Sequence, residues 1–128
     1  MAKTAAQLVA EAKASIENLT AAQAAQEIAG GDVLVVDIRE PEERRVNGVI
    51  AGAVSAPRGM LEFYADPASP YHKDGFDPAR RVILHCASGG RSALAVKSLQ
   101  ELGYSNIAHL DTGFNGWKEQ GQPIEDGQ

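Results

Sequence analysis

Two unbroken apolar runs constrain this chain more than any other feature. They are Val33-Leu34-Val35-Val36, which ends at Asp37, and Val82-Ile83-Leu84, which leads into His85 and Cys86. Neither run alternates with polar residues, so each reads as a strand buried on both faces, as in a parallel sheet covered by helices. Ile107-Ala108-His109-Leu110 reads as a further strand, and Ala53-Val54-Ser55-Ala56, closed by Pro57, as a weaker one. Helical segments lie between them. Leu8, Ala12, Ile16 and Leu19 recur at helical spacing, and Thr20 caps a second helix over Ala21–Ala29 that Gly30-Gly31 stops. Pro41 opens a short charged helix through Val46, ended by Gly48. Residues 58–80 are irregular, broken by Pro67, Pro70 and Pro78, with one helical turn over Met60–Tyr64. A helix over Arg91–Leu102 and a closing helix over Phe114–Gln120, with Trp117 on its inner face, complete the pattern.

Strands alternating with helices predict an α/β domain of three layers, with a mostly parallel central sheet of about five strands flanked by helices. A chain of 128 residues buries such a core without metal or disulfide staples. Residues 1–17 read as an Ala-rich helical extension and residues 18–128 as a single domain.

Charge and cysteine content narrow the function classes. Twelve basic against 17 acidic residues leave a net charge of -5, which argues against nucleic acid or an anionic membrane as partner. No apolar run reaches bilayer length, and the N-terminal stretch lacks the apolar block of a secretory signal. The single cysteine, Cys86, makes no intrachain disulfide and excludes a cysteine-based metal cage. A cytoplasmic setting is expected.

The chemical signal stands where the second apolar run ends: Cys86-Ala87-Ser88-Gly89-Gly90-Arg91-Ser92. In open parallel sheets, ligands bind beyond the carboxyl ends of the strands. Here small residues lead from strand to helix, so the backbone can curl and aim its N–H groups inward as an anion cradle at a helix N-terminus. A thiol at the centre of that field is expected to have a lowered pKa and to act as a covalent nucleophile, although a lone cysteine is in general a small buried hydrophobe.

The same residues carry a family resemblance. From about Asn18 to Glu125 the chain resembles a single rhodanese domain. The matching pieces are Val35-Val36-Asp37-Ile38-Arg39-Glu40 with Glu43, Gly48-Val49-Ile50-Ala51-Gly52-Ala53, Pro57, and Ile83-Leu84-His85-Cys86 with its loop. Gly103-Tyr104 and Leu110-Asp111-Thr112-Gly113-Phe114-Asn115-Gly116-Trp117, with Gly121 and Pro123, complete it. The resemblance implies a sulfurtransferase in which Cys86 accepts a sulfane sulfur and holds it as a persulfide. The donor would be a small anion such as thiosulfate and the acceptor cyanide, a thiol or a sulfur-accepting protein. No metal or organic cofactor is implied.

Loop length separates the chemistries on this fold. Four residues lie between Cys86 and Arg91, as in the sulfurtransferases. Related phosphatases and arsenate reductases carry one more residue before the arginine, and Ser92 fills that position here. Arg91 is the loop's one basic residue, which keeps open a sulfur-relay or regulatory module with little small-molecule turnover. The candidate site is therefore Cys86 as nucleophile, with Ala87, Ser88, Gly89, Gly90, Arg91 and Ser92 as the cradle. Arg58, after Pro57, is a candidate for the donor's negative charge or a solvated surface arginine. Asp37, Arg39 and Glu43 are expected to brace the loop rather than react. His85 should point to the sheet face opposite Cys86. His109 is expected to be an ordinary strand residue, and His72 to lie in a loop that covers the site or stands apart from it. Phe63, Tyr64 and Tyr71 either wall the pocket or pin the long loop.

Overall fold

The computed structural model describes residues 2–127. Five strands form one all-parallel sheet: β1 (Glu17–Leu19), β2 (Leu34–Asp37), β3 (Val54–Ser55), β4 (Val82–His85) and β5 (Ile107–Leu110), in the spatial order β1-β5-β4-β2-β3. Six helices connect and cover them: α1 (Ala5–Ser15), α2 (Ala21–Gly30), α3 (Pro41–Asn47), α4 (Leu61–Ala65), α5 (Gly90–Glu101) and α6 (Gly113–Glu119). A 3-10 turn over Arg58–Met60 precedes α4.

The period-two geometry of the strands divides the core into two layers. On one face, Leu34, Val36, Val82, Leu84 and Ile107 pack with Ala95, Val96 and Leu99 of α5 and with Leu61 and Ala65 of α4. On the other face, Ile83, Ala108 and Leu110 pack with Ala21 and Ala24 of α2 and with Phe114 and Trp117 of α6. Every residue of β2, β4 and β5 is buried, as the unbroken apolar runs of β2 and β4 require. Among the described residues no helix is long and apolar enough to cross a membrane.

One helical expectation gives way. The spacing of Leu8, Ala12, Ile16 and Leu19 suggests one continuous helix, yet α1 ends at Ser15 and residues 17–19 form edge strand β1 beside β5. In a helix Ile16 and Leu19 would share a face. Here Ile16 packs in one core layer and Leu19 in the other, as an extended segment demands. The free edge of β5 supplies the hydrogen bonds that a further helical turn would have made. Thr20 then starts α2 with a complete capping box to Gln23. Of the expected extension, α1 lies against α5, with Ala12 buried, and Glu17 is the first residue of β1.

The long segment before β4 is pinned by Phe76, which is buried, and by Tyr104, whose hydroxyl donates to the Ala65 carbonyl at 2.7 Å. Phe63 and Tyr71 stay exposed and meet edge to face, and Tyr64 packs against the core beneath the Lys73 ammonium.

Candidate active site

The site forms where β4 ends. Cys86 follows His85, and the chain turns through Ala87, Ser88 and Gly89 into α5. Two groups of hydrogen bonds shape this turn. Its carbonyls are drawn outward: Cys86 O accepts from Phe114 N–H at 2.8 Å and Ala87 O from Asn115 N–H at 3.0 Å, both at the start of α6. Its amides are left to face inward, and two of them reach the sulfur. Gly89 N–H donates to Cys86 Sγ at 3.2 Å and Ser92 N–H at 3.4 Å. Gly89 makes the turn at φ 100°, where a side chain is strained, and a Cβ there would stand 2.0 Å from the Asp111 carbonyl oxygen. The curl expected from small residues thus has a definite frame: α6 holds the carbonyls, and α5 presents the amides.

Cys86 is almost fully buried. Burial pushes its thiol pKa up. The Ser92 hydroxyl and the N–H groups of Ser92, Gly89 and Ser88 push it down and prevail, so the thiol titrates below its ordinary value. Ser92 Oγ lies 3.5 Å from Sγ.

The two arginines assigned to the site are both held by carboxylates. Arg91 makes a two-pronged ion pair with Glu43 of α3, at 2.8 and 2.9 Å. That pair draws the Glu43 carboxyl down to about 2. Arg58 donates to both oxygens of Glu62 at 2.8 Å, and Glu62 is also bonded by Ser98 of α5. Neither guanidinium is free of a carboxylate.

Asp37 at the end of β2, Arg39 in the turn after it and Glu43 of α3 brace the candidate site. Asp37 is buried and accepts from Arg39 Nε and Nη2 at 3.0 and 2.8 Å and from Arg44 at 2.8 Å. Burial alone would raise the Asp37 pKa, but its arginine hydrogen bonds and charges hold it below the ordinary value. Arg39 also donates to the Gly48 carbonyl at 2.9 Å and lies over the Phe114 ring at 4.1 Å, which joins this ionic cluster to the start of α6. His85 faces this layer, away from Cys86, stacked on Phe114 with Nε2 3.9 Å from Asp37. His72 bonds the Phe76 carbonyl at 2.8 Å and lines a cavity of about 480 Å³ with Pro67, Asp74 and Arg80. That cavity contains none of the loop residues 86–92.

Three contributors escape the sequence reading. His109 is fully buried on the α5 side of the sheet, with Nδ1 2.8 Å from Ser92 Oγ and Nε2 2.7 Å from Asn18 Oδ1. Asn18 of β1 thereby touches the same network. Lys13 of α1 pairs with Asp111 at 2.9 Å, and its Nζ stands 3.2 Å from the place a Gly89 Cβ would occupy. Strand parity with Ile107 could have set His109 on the face of Cys86. No local signal marks Asn18 or Lys13, because their approach depends on β1 joining the sheet. Among the described residues no group of three or more His, Cys, Asp or Glu is arranged to hold a metal ion.

The model of the rhodanese-like domain matches residues 20–120. A sulfurtransferase of Allochromatium vinosum is 33% identical over 93 residues, 73% of this chain and 78% of that protein. The chain spans less than half the length of some other curated relatives. A solved Rhodopseudomonas palustris protein of unknown function, described as a possible tyrosine phosphatase, is 44% identical with a TM-score of 0.91, covering 98% of this chain and 96% of that one. A polysulfide-sulfur transferase homodimer from Wolinella succinogenes is 30% identical with a TM-score of 0.76, covering 92% and 84%.

Proposed function

Because the chain belongs to the rhodanese-like domain family, we propose that it is a sulfurtransferase whose Cys86 cycles between thiolate and persulfide. The observation that carries this reading is the pair of loop amides, Gly89 N–H and Ser92 N–H, converging on one sulfur at 3.2 and 3.4 Å. The Cys86 thiolate attacks the outer sulfur of the donor. A new S–S bond forms, the donor's own S–S bond breaks, and the leaving group (sulfite, when thiosulfate is the donor) departs with the electron pair. Cyanide or a thiolate then attacks the outer sulfur of the persulfide and returns Cys86 to thiolate. Backbone donors already in place stabilise the sulfur anion at both stages without reorganising.

Two relatives with phosphatase descriptions, the possible tyrosine phosphatase and a dual specificity phosphatase of Arabidopsis thaliana, make phosphoryl transfer the natural competitor. Two features favour sulfur over phosphate. The loop places four residues before Arg91, and the Arg91 guanidinium, although it faces Cys86, commits two of its donors to Glu43. The same pairing, with that of Arg58 to Glu62, also favours a second reading, in which sulfur passes between this chain and a protein partner and thiosulfate turns over slowly. A reducing, cytoplasmic setting suits a chain whose one cysteine must stay free.

Intact mass after incubation with thiosulfate, polysulfide and an aryl phosphate in turn tests the reading. One sulfur atom gained on the wild type and none on Cys86→Ser is the expected outcome. Efficient hydrolysis of the aryl phosphate without sulfur uptake would overturn it.

A further inference from the structure

The Ser92 hydroxyl carries one proton and stands between Cys86 Sγ at 3.5 Å and His109 Nδ1 at 2.8 Å. Which of them receives it is set by residues far from the loop in sequence. Asn18 Nδ2 donates to the carbonyls of Lys13 and Ile16 at 2.9 and 3.1 Å. Those bonds orient the amide, so Oδ1 is the atom that faces His109 Nε2 at 2.7 Å. Oδ1 only accepts. His109 therefore carries its proton on Nε2, and Nδ1 is a bare acceptor for the Ser92 hydroxyl. In that arrangement Ser92 Oγ turns a lone pair toward sulfur and accepts the Cys86 S–H.

We propose that Ser92 and His109, held by Asn18, form a relay that takes the thiol proton of Cys86 into the protein interior as the thiolate forms. The Cys86 S–H bond breaks as an O–H bond forms on Ser92. The original Ser92 O–H breaks as an N–H forms on His109 Nδ1. No electrons change hands. The product is a thiolate that accepts from a reversed Ser92 hydroxyl, with an imidazolium whose two N–H groups both have acceptors, Ser92 Oγ and Asn18 Oδ1. His109 is a positioning residue here, since it acts on sulfur through Ser92.

The surroundings limit when the relay is charged. Burial holds the His109 pKa down to about 4, so the ring is neutral at rest. Asp111, with Oδ1 3.7 Å from Nε2, favours the imidazolium, and Lys13, paired with Asp111 at 2.9 Å, opposes it. Cys86 from the β4 loop is the third titratable group, and α5 presents both the Ser92 hydroxyl and the Arg91 guanidinium, whose positive charge faces Cys86 as well. The new negative charge on Cys86 supplies the attraction that the resting site lacks. The reactive thiolate is then available below the pH at which the thiol would lose its proton to solvent.

This inference rests on Cys86 as the nucleophile of the proposed sulfur transfer, and its test needs no sulfur donor. Iodoacetamide alkylation of Cys86, the chain's one thiol, is measured against pH in the wild type, Ser92→Ala and His109→Gln. Both variants should lose at least about tenfold in rate on the acid side of neutrality and converge with the wild type in alkali, where solvent takes the proton. Profiles that superimpose on the wild type, or that fall by one factor at every pH, would overturn the relay. Nitrogen-15 chemical shifts of the His109 ring decide the matter should a variant fail to fold. The Nε2–H tautomer at neutral pH is expected, and an Nδ1–H tautomer would refute the proposal. Failure of either measurement leaves sulfur uptake by Cys86 to be judged on its own assay.

Discussion

Gly89→Ala probes the cradle at its tightest point. The substitution acts in two ways. It puts a side chain at φ 100°, a strained conformation that costs about 1–3 kcal/mol. It also drives a Cβ to 2.0 Å from the Asp111 carbonyl oxygen, and since that atom belongs to the backbone, the loop must retreat. Overpacking of this kind costs about another 1–3 kcal/mol. Retreat pulls Gly89 N–H away from Cys86 Sγ, a bond now 3.2 Å long. A hydrogen bond to a charged acceptor is worth about 1.5–3 kcal/mol. At about 1.36 kcal/mol per pKa unit, its loss should raise the Cys86 pKa by about one to two units. Sulfur uptake at neutral pH should slow through the smaller thiolate fraction, by up to about 100-fold. The assay is the ultraviolet thiolate titration, corrected by Cys86→Ser, alongside the rate of sulfur uptake by mass. Gly103→Ala is the control, since Gly103 also has a positive φ of 96° but open space where a Cβ would go. A Gly89→Ala protein that folds and titrates like the wild type would refute the reasoning, as would an equal shift in Gly103→Ala.

Glu43→Gln releases the Arg91 guanidinium from its two-pronged partner and should lower KM for thiosulfate with little change in kcat; steady-state kinetics at low salt show it, and an unchanged KM would mean Arg91 does not reach the donor. Asp37→Asn leaves Arg39 buried without its carboxylate and should cost about 3–5 kcal/mol, read as a lower urea midpoint with the slope unchanged. Stability should also fall as pH drops from 6.5 toward about 4. Over that range the unfolded chain binds a proton at His109 that the folded chain, with its lowered pKa, refuses. His85, lowered by burial, contributes in the same direction. Urea midpoints across this range measure the effect, and His109→Gln should flatten the slope; an equal slope in both proteins would show that His109 is not its source.

Much of the candidate site's geometry was legible because its determinants are local. Cys86, its small neighbours and the helix after them occupy consecutive positions, and a strand end running into a Gly-rich turn has few conformations that satisfy its backbone groups. The alternation of buried strands and helices needed only periodicity. The placement of His85 on the opposite face followed from strand geometry alone. The bracing role of Asp37 and Arg39 was legible too, since a carboxylate and a guanidinium two residues apart at a strand end can pair without help from the rest of the chain.

What tertiary structure decided is the electrostatic state of that site. Arg91 counts as a free cation in the sequence, but α3 brings Glu43 onto it across 48 positions. His109 looks like one more strand residue until β5 is set beside α5 and β1, which puts Ser92 on one of its nitrogens and Asn18, 91 positions away, on the other. Residues 17–19 follow a helical pattern in isolation and become a strand because β5 offers an open edge. The common reason is that charge pairing and proton placement depend on distances of about 3 Å, which only packing sets. Hydrophobic period and turn chemistry act between near neighbours, so they can be read before the chain has folded.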